Sequence, residues 1–320
     1  MSRPPLTLFG LQGSRELAER VAGRLEVPLG PHEERRFEDG EHKIRPLQDV
    51  RGQDAFVLHS LHGDAGESAN DKLCRLLFFC GALKDAGAAW VTAVTPYLCY
   101  ARKDRRTKPN DPITTRYVAA MFEAVGVDRV ITLEVHNVAA FENAFRCPTW
   151  HIESGPLMAA HFAPLLRDGR VVAVSPDAGG AKRAEQFRQA MEHLTRQDVG
   201  SAYMEKYRSG GVVSGELLAG DVRGKVAVIV DDLISTGSTL VRAATACRAA
   251  GATQAFAAAA HGLFVGGATE LFATSALDGI TVANTVPPFR VAAETAARRL
   301  TVLDVSDAIA RAIAACHDRS

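Results

Sequence analysis

Short, mainly apolar runs alternate with helix-like stretches along the whole of this chain, and that alternation constrains its fold more than any other feature. Four runs read as strands in the first half, at residues 6–9, 55–58, 90–94 and 129–133, and four more in the second, at 171–174, 226–230, 253–258 and 280–283. A strand apolar on both faces must be covered on both faces, which requires crossover helices and a mainly parallel sheet. The intervening stretches have helical spacing. Leu17, Val21 and Leu25 fall on one face behind Ser14 as a cap, and Ile309, Ile313 and Cys316 do so behind Ser306. The expected class is α/β. Breakers at Cys147-Pro148 and Gly155-Pro156 separate the two strand series. They divide the chain into predicted domains 1–152 and 153–304, each about the size of an ordinary domain. The last helix, 305–317, is expected to pack back on the first domain.

Composition narrows the function classes. Lys plus Arg total 37 and Asp plus Glu total 37 in 320 residues, so no global positive charge marks a nucleic-acid or membrane-surface binder. Six cysteines stand far apart without a CxxC pair, which reads as reduced thiols in a cytoplasmic protein. The apolar stretch from Leu6 to Leu11 is too short for a secretory signal, and no uncharged run approaches a membrane span. Neither a nucleic-acid partner nor a membrane is expected.

The most specific segment is Val226-Ala-Val-Ile-Val230 followed by Asp231-Asp232-Leu-Ile-Ser235-Thr236-Gly237-Ser238-Thr239. An apolar strand ends in two acids, and a hydroxyl-rich turn then opens a helix. Gly237 permits close backbone approach, and a helix start offers unpaired N–H groups to an anion. Ser235, Thr236, Ser238 and Thr239 add donors suited to a phosphate monoester. Asp231 and Asp232 suit the hydroxyls of a sugar or a magnesium ion. A phosphate grip beside a diol grip describes a ribose 5-phosphate site.

Three other segments have their own chemistry. Arg102, Lys103, Asp104, Arg105 and Arg106 follow an apolar strand, and such a cationic loop fits a triphosphate or serves as a solvated surface. Asp177-Ala-Gly179-Gly180 sets an acid and small residues ahead of a helix, where metal and phosphate oxygens can approach, or where a plain turn would suffice. Lys206-Tyr-Arg208 opens a Ser-Gly-Gly segment between strands, readable as a mobile loop closing cations over a phosphate or as an exposed hairpin.

These segments occur in the order found in the ribose-phosphate diphosphokinases, or PRPP synthases, which the chain resembles over nearly its whole length. Arg36-Phe37-Glu-Asp39-Gly-Glu41 and the run from Pro96 to Arg105 resemble that family's early and nucleotide-binding loops, and Val174 to Arg183 resembles its pyrophosphate loop. The resemblance implies two tandem phosphoribosyltransferase-like domains, each a mostly parallel sheet flanked by helices. It implies ATP binding by Phe37, Asp39, Glu41, Arg102, Lys103 and Asp104, with Phe37 stacking on the purine. It also implies catalysis by Lys206 and Arg208, pyrophosphate binding by Asp177, Gly179 and Gly180, and magnesium at His136 and Asp177. Asp231, Asp232 and the turn Ser235, Thr236, Gly237, Ser238, Thr239 would hold ribose 5-phosphate. The implied reaction moves the diphosphoryl group of ATP to the C1 hydroxyl of ribose 5-phosphate, giving PRPP and AMP. A homo-oligomer is implied as well, a hexamer or a smaller even-numbered assembly, in which the Phe37 loop serves a neighbouring chain.

Departures from the family pattern are Lys103 in place of glutamine, Ser235 in place of aspartate, and the stretch from Val138 to Phe145. Two rivals differ in what they would carry. A base phosphoribosyltransferase has no use for the Phe37 and Arg102 segments. A non-catalytic regulatory subunit would be expected to lose the Lys206 and Arg208 cations or the paired acids, and the chain keeps both.

Overall fold

The computed structural model describes residues 3–168, 170–209 and 212–320, with the side chains of 166–168, 206–209 and 212–216 outside that description. The chain divides into two compact units, Met1–Ile152 with Val305–Ser320, and Glu153–Asp304.

The first unit contains β1 (Leu6–Gly10), α1 (Arg15–Leu25), β2 (His32–Arg36), β3 (His42–Pro46), β4 (Asp54–Leu58), α2 (Ala69–Asp85), β5 (Trp90–Thr95), α3 (Thr114–Ala124), β6 (Arg129–Leu133), α4 (Val138–Ala144) and β7 (Thr149–Ile152). Five strands form one parallel sheet in the order β1-β4-β5-β6-β7. Alternate strand residues Phe9, Val57, Ala93 and Val130 pack in one core with Leu76 and Phe79 of α2, Phe122 of α3 and Phe141 of α4. The pleat sends alternate side chains to opposite faces.

At the base of the sheet a buried ion pair joins Arg129 to Asp54, which is fully buried. Arg129 also donates to Thr92 Oγ1 (2.9 Å) and Ser320 Oγ (2.6 Å). The second Asp54 oxygen accepts from Ser320 Oγ at 2.6 Å and lies 2.8 Å from His317 Nδ1. The C-terminal helix, Ser306–His317, is thereby tied into this unit, with Ile309, Ile313 and Cys316 fully buried.

Neither expected serine cap forms. Ser14 Oγ accepts from Ser60 N at 2.8 Å and lies 3.2 Å from His59 Nδ1, so burial against the end of β4 occupies it. Ser306 is already the first residue of its helix, and Val305 stands at the cap.

The second unit contains α5 (Gly155–Phe162), β8 (Val171–Ser175), α6 (Ala181–Thr195), β9 (Gly200–Ser209), β10 (Val212–Ala219), β11 (Val226–Ile234), α7 (Ser238–Ala249), β12 (Gln254–Gly262), α8 (Thr269–Ala273), β13 (Gly279–Ala283), α9 (Ala293–Arg299) and β14 (Leu300–Leu303). Its sheet runs β10-β9-β8-β11-β12-β13-β14, antiparallel only at β10. The chain leaves β8 toward β9 and β10 on one side, then returns to β11 on the other. That reversal is a topological switch point, where strands part at their carboxyl ends and leave a crevice. The alanine-rich β12 lies inside the core, with Ala257 and Ala259 against Val172, Ile229 and Val282. Among the described residues no helix is long and apolar enough to cross a membrane.

Two expectations need correction here. The strand carrying the paired acids does not end at Val230. It continues to Ile234, because β12 stays paired with it through Leu233–His261 and Ile234–Gly262, whereas β8 pairs only as far as Ile229–Val174. Asp231 and Asp232 therefore lie on a strand with one neighbour gone. The Lys206 segment is also strand rather than loop up to Ser209: Lys206 lies opposite Glu216 and Arg208 opposite Val213 in an antiparallel ladder. The side chains of Lys206 and Arg208 lie outside the described residues, as do Gly210 and Gly211.

Candidate active site

The switch point of the second unit gathers two of the predicted segments on adjacent strands. After β8, Asp177 Oδ1 accepts from Gly179 N (2.8 Å) and Gly180 N (3.0 Å), folding the turn tightly over its own carboxylate. Ser175 Oγ donates to the Asp177 carbonyl at 2.6 Å, and a Cβ on Gly180 would stand only 2.8 Å from that hydroxyl. After β11, Gly237 has φ +82°, and a Cβ there would meet Leu271 at 2.8 Å. A side chain is thus excluded both by backbone conformation and by packing. Ser238 then opens the twelve-residue α7, which has no side-chain cap, and the first N–H groups of a helix have no partner within it. Thr236 and Ser238 are exposed, Ser235 and Thr239 half-buried. The turn is pinned from below, since Val265 N donates to Ser235 O at 3.0 Å and Phe264 N to Ile234 O at 3.1 Å.

The two acids are electrostatically loaded. Asp232 is buried, and its N–H donates to Asp231 Oδ1 at 2.8 Å. Burial, together with the neighbouring Asp232, pushes the Asp231 carboxyl up to about 8. Arg183 of α6 opposes that shift, with Nη1 3.8 Å from both Asp231 Oδ1 and Asp232 Oδ1. No role attaches to Arg183 in the sequence reading, although the motif includes it. Its distance from the acids, 48 positions along the chain, hides the pairing until α6 folds beside β11.

The first unit holds the remaining described candidates. Phe37, Asp39 and Glu41 occupy the tip of the β2–β3 hairpin, closed by Phe37 N to Glu41 O at 2.8 Å. Asp39 Oδ1 accepts from Glu41 N at 3.0 Å, and the Arg35 guanidinium lies 4.8 Å over the Phe37 ring. Asp39 and Glu41 are exposed. Arg102, Lys103 and Asp104 follow β5. Lys103 Nζ is held 2.9 Å from Asp111 Oδ2 within its own loop, whereas Arg102 is exposed. Hydrogen bonds from Thr107 and Lys103 hold the Asp111 carboxyl well below the usual carboxylate range. Asn137 Nδ2 donates to Asp104 Oδ2 at 2.8 Å while its Oδ1 caps α4, so the loops after β5 and β6 are linked beside the exposed His136.

Comparison with known proteins bears on what this arrangement serves. Residues 6–126 match the N-terminal domain of ribose phosphate pyrophosphokinase, residues 154–266 a phosphoribosyl transferase domain, and residues 215–320 a phosphoribosyl synthetase-associated domain. A putative ribose-phosphate pyrophosphokinase 2 of Streptococcus pyogenes is 36% identical over 315 residues, covering 98% of this chain and 92% of that one. Ribose-phosphate pyrophosphokinase 1 of the same organism is 33% identical over all 320 residues and 97% of its own length. The chain belongs to the ribose-phosphate pyrophosphokinase family.

A solved structure of that family, the phosphoribosylpyrophosphate synthetase of Mycobacterium smegmatis, superposes with a TM-score of 0.87 at 31% identity, covering 99% of this chain and all of that one. The α/β architecture with its phosphoribosyltransferase-like domain is therefore the family's own. Membership implies a divalent metal requirement, and the donor set fits one. The acids at the switch point are hard oxygen donors, and the Asp177 cap uses only Oδ1. Among the described residues no three His, Cys, Asp or Glu side chains converge to hold a metal unaided. Magnesium at phosphate-transfer sites is usually held by one or two carboxylates together with water and substrate phosphates.

Proposed function

We propose that this chain makes PRPP and AMP from ATP and ribose 5-phosphate, in a magnesium-dependent diphosphoryl transfer. The observation that carries the reading is the switch point, where the paired acids of β11 are followed within a few residues by the start of α7. The α7 N–H groups and the hydroxyls of Ser235, Thr236, Ser238 and Thr239 take the 5-phosphate. Asp231 and Asp232 accept from ribose hydroxyls, and Arg183, 3.8 Å from both, favours their charged forms and aligns them. Gly179 and Gly180 admit phosphate oxygens beside Asp177.

The purine stacks on Phe37 while Asp39 and Glu41 accept from its amino group. Arg102, Lys103 and Asp104 order the polyphosphate. The C1 oxygen bonds to the β-phosphorus as the bond to the α–β bridging oxygen breaks. Catalysis of that kind is positioning and electrostatics. Lys206 and Arg208 neutralise charge on the transferring group. Asp177 and His136 are the residues proposed to serve as magnesium ligands, and the ion would supply neutralisation of charge on phosphate oxygens. We further propose an even-numbered homo-oligomer in which the Phe37 hairpin serves a neighbouring chain.

The test is AMP release from ATP and magnesium, with and without ribose 5-phosphate, for wild type and Lys206→Ala. Release that needs the sugar phosphate and falls by roughly 10²–10³ in the variant, the usual cost of one electrostatic donor, supports the reading. Folded protein that releases no AMP under any condition would sink it, and leave the regulatory-subunit alternative.

A further inference from the structure

A second cavity in the Glu153–Asp304 unit, of about 660 Å³, lies between α8 and α9. It falls within the size range of small-molecule sites and exceeds what a bare phosphate would fill. Its walls are two short helices, and Ala273, Val291 and Ala292 add apolar surface between the polar side chains. Thr295, Arg298 and Arg299 of α9 stand at positions i, i+3 and i+4, and Thr269 and Phe272 of α8 at i and i+3, so each set occupies one helical face. Arg290 completes the lining. Three guanidiniums face the space, and among the described residues that line it none is acidic. Arg290 and Arg299 are braced on backbone carbonyls, by Nη1 to Leu263 O at 2.9 Å and by Nη2 to Thr274 O and Leu277 O at 2.8 Å.

The helix α9 has no buried residue. A helix of seven residues gains too little from propensity alone to stand in water and ordinarily buries an apolar stripe. Here the inward face is threonine and arginine. Guanidiniums recognise phosphates through paired N–H donors, and Phe272, which packs against the core at its other edge, offers a ring on the same wall.

We propose that this cavity is a binding site for an aromatic organic phosphate of nucleoside monophosphate size, separate from the ribose loop. The arginines take the phosphate, and Phe272 takes the ring. The helix α8 has a second face: Leu271, fully buried, is the residue that a side chain at Gly237 would strike. An occupant of the cavity therefore bears on the turn that grips the 5-phosphate. Binding stands independently of the proposed reaction; only an effect on ribose 5-phosphate affinity rests on it.

The probe is AMP, measured by equilibrium dialysis against wild type, Arg298→Glu and Thr295→Glu. Both changed residues lie on α9, which buries none of its residues, so folding should survive. Wild type is expected to bind one AMP more per chain than either variant, or the variants to weaken that binding roughly ten- to a hundredfold, the worth of a charged hydrogen bond. Hydrogen exchange should slow at residues 269–273 and 293–299 when AMP is added to wild type. Inorganic phosphate, which has no ring, should displace AMP there only weakly. Equal AMP binding by wild type and both variants, or no protection of α8 and α9, would overturn the proposal. Loss of AMP release activity with the extra site intact would instead count against the proposed reaction and leave the cavity site standing.

Discussion

The two sheets are built from the same kind of strand, yet one keeps its strands in sequence order and the other reverses that order. In the first unit β1, β4, β5, β6 and β7 are laid down in sequence order, each beside the last. In the second the order reverses at β8 and β11, and the β11 edge beyond Ile229 loses its β8 neighbour. The acid pair sits on that uncovered stretch. In the first unit the buried carboxylate, Asp54, sits at the opposite end of its strand and is matched by Arg129. The first unit thus uses a buried acid to dock its terminal helix, and the second leaves a pair of acids on the stretch proposed to hold a ligand. What separates them is whether a cation is supplied at contact distance or left to be shared at 3.8 Å.

Breaking the first of these pairs should cost the most. Arg129→Met leaves Asp54 buried without its partner, and removal of one member of a buried pair typically costs about 3–5 kcal/mol. The expected result is a large drop in the melting temperature, with the Michaelis constant for ribose 5-phosphate unchanged in the protein that remains folded. An altered constant would show that the docking pair also shapes the ribose site.

Removing an acid from the crevice should do the reverse. Asp232→Ala is expected to lower kcat/KM for ribose 5-phosphate by roughly 10²–10³, as loss of a positioned electrostatic group does, while the KM for ATP changes little. Arg183→Gln sharpens the same point with a smaller effect, on the order of 10–100-fold, because one charge-assisted contact is lost on each acid. Arg183→Lys should recover part of it, since charge returns without the planar fork. Equal loss in both Arg183 variants would argue for packing instead of charge.

Much of this comparison is visible in the chain before it folds. All eight predicted strands exist, because a run such as Val171 to Val174 has no polar face to spare and must be buried on both sides. What periodicity misses is polar or short. β2, His-Glu-Glu-Arg-Arg, is half-buried at best and pairs only with β3. β7 and β14 have four residues each. The turn proposed to hold ribose 5-phosphate is legible because its chemistry is contiguous, from Asp231 to Thr239. Arg183 is not, because its meaning depends on a contact between α6 and β11, and Lys103 reads as a free cation until Asp111, eight residues on, folds back to meet it. Reading a reversal of strand order needs the connections between strands, and no local pattern contains those.

The smallest effect turns the comparison into one of pH. The Asp231 carboxyl, raised to about 8 by burial and by Asp232, binds its proton more tightly folded than unfolded. Its contribution to stability is therefore complete below the ordinary aspartate value near 4 and is lost as pH rises through about 8. Asp231→Asn keeps a neutral side chain at every pH. The variant should match wild type at pH 3.5 and melt higher at pH 8.5, by about 2–4 °C for each kcal/mol recovered. Its activity should fall, because the ribose hydroxyls lose a charged acceptor. A gain in stability with a loss of turnover would show that the crevice keeps a costly charge for its ligand. Asp54→Asn in the first unit, where the carboxylate already has Arg129, should lower the melting temperature at both pH values. If both substitutions destabilise alike at pH 8.5, the two acids have the same role and the contrast between the sheets fails.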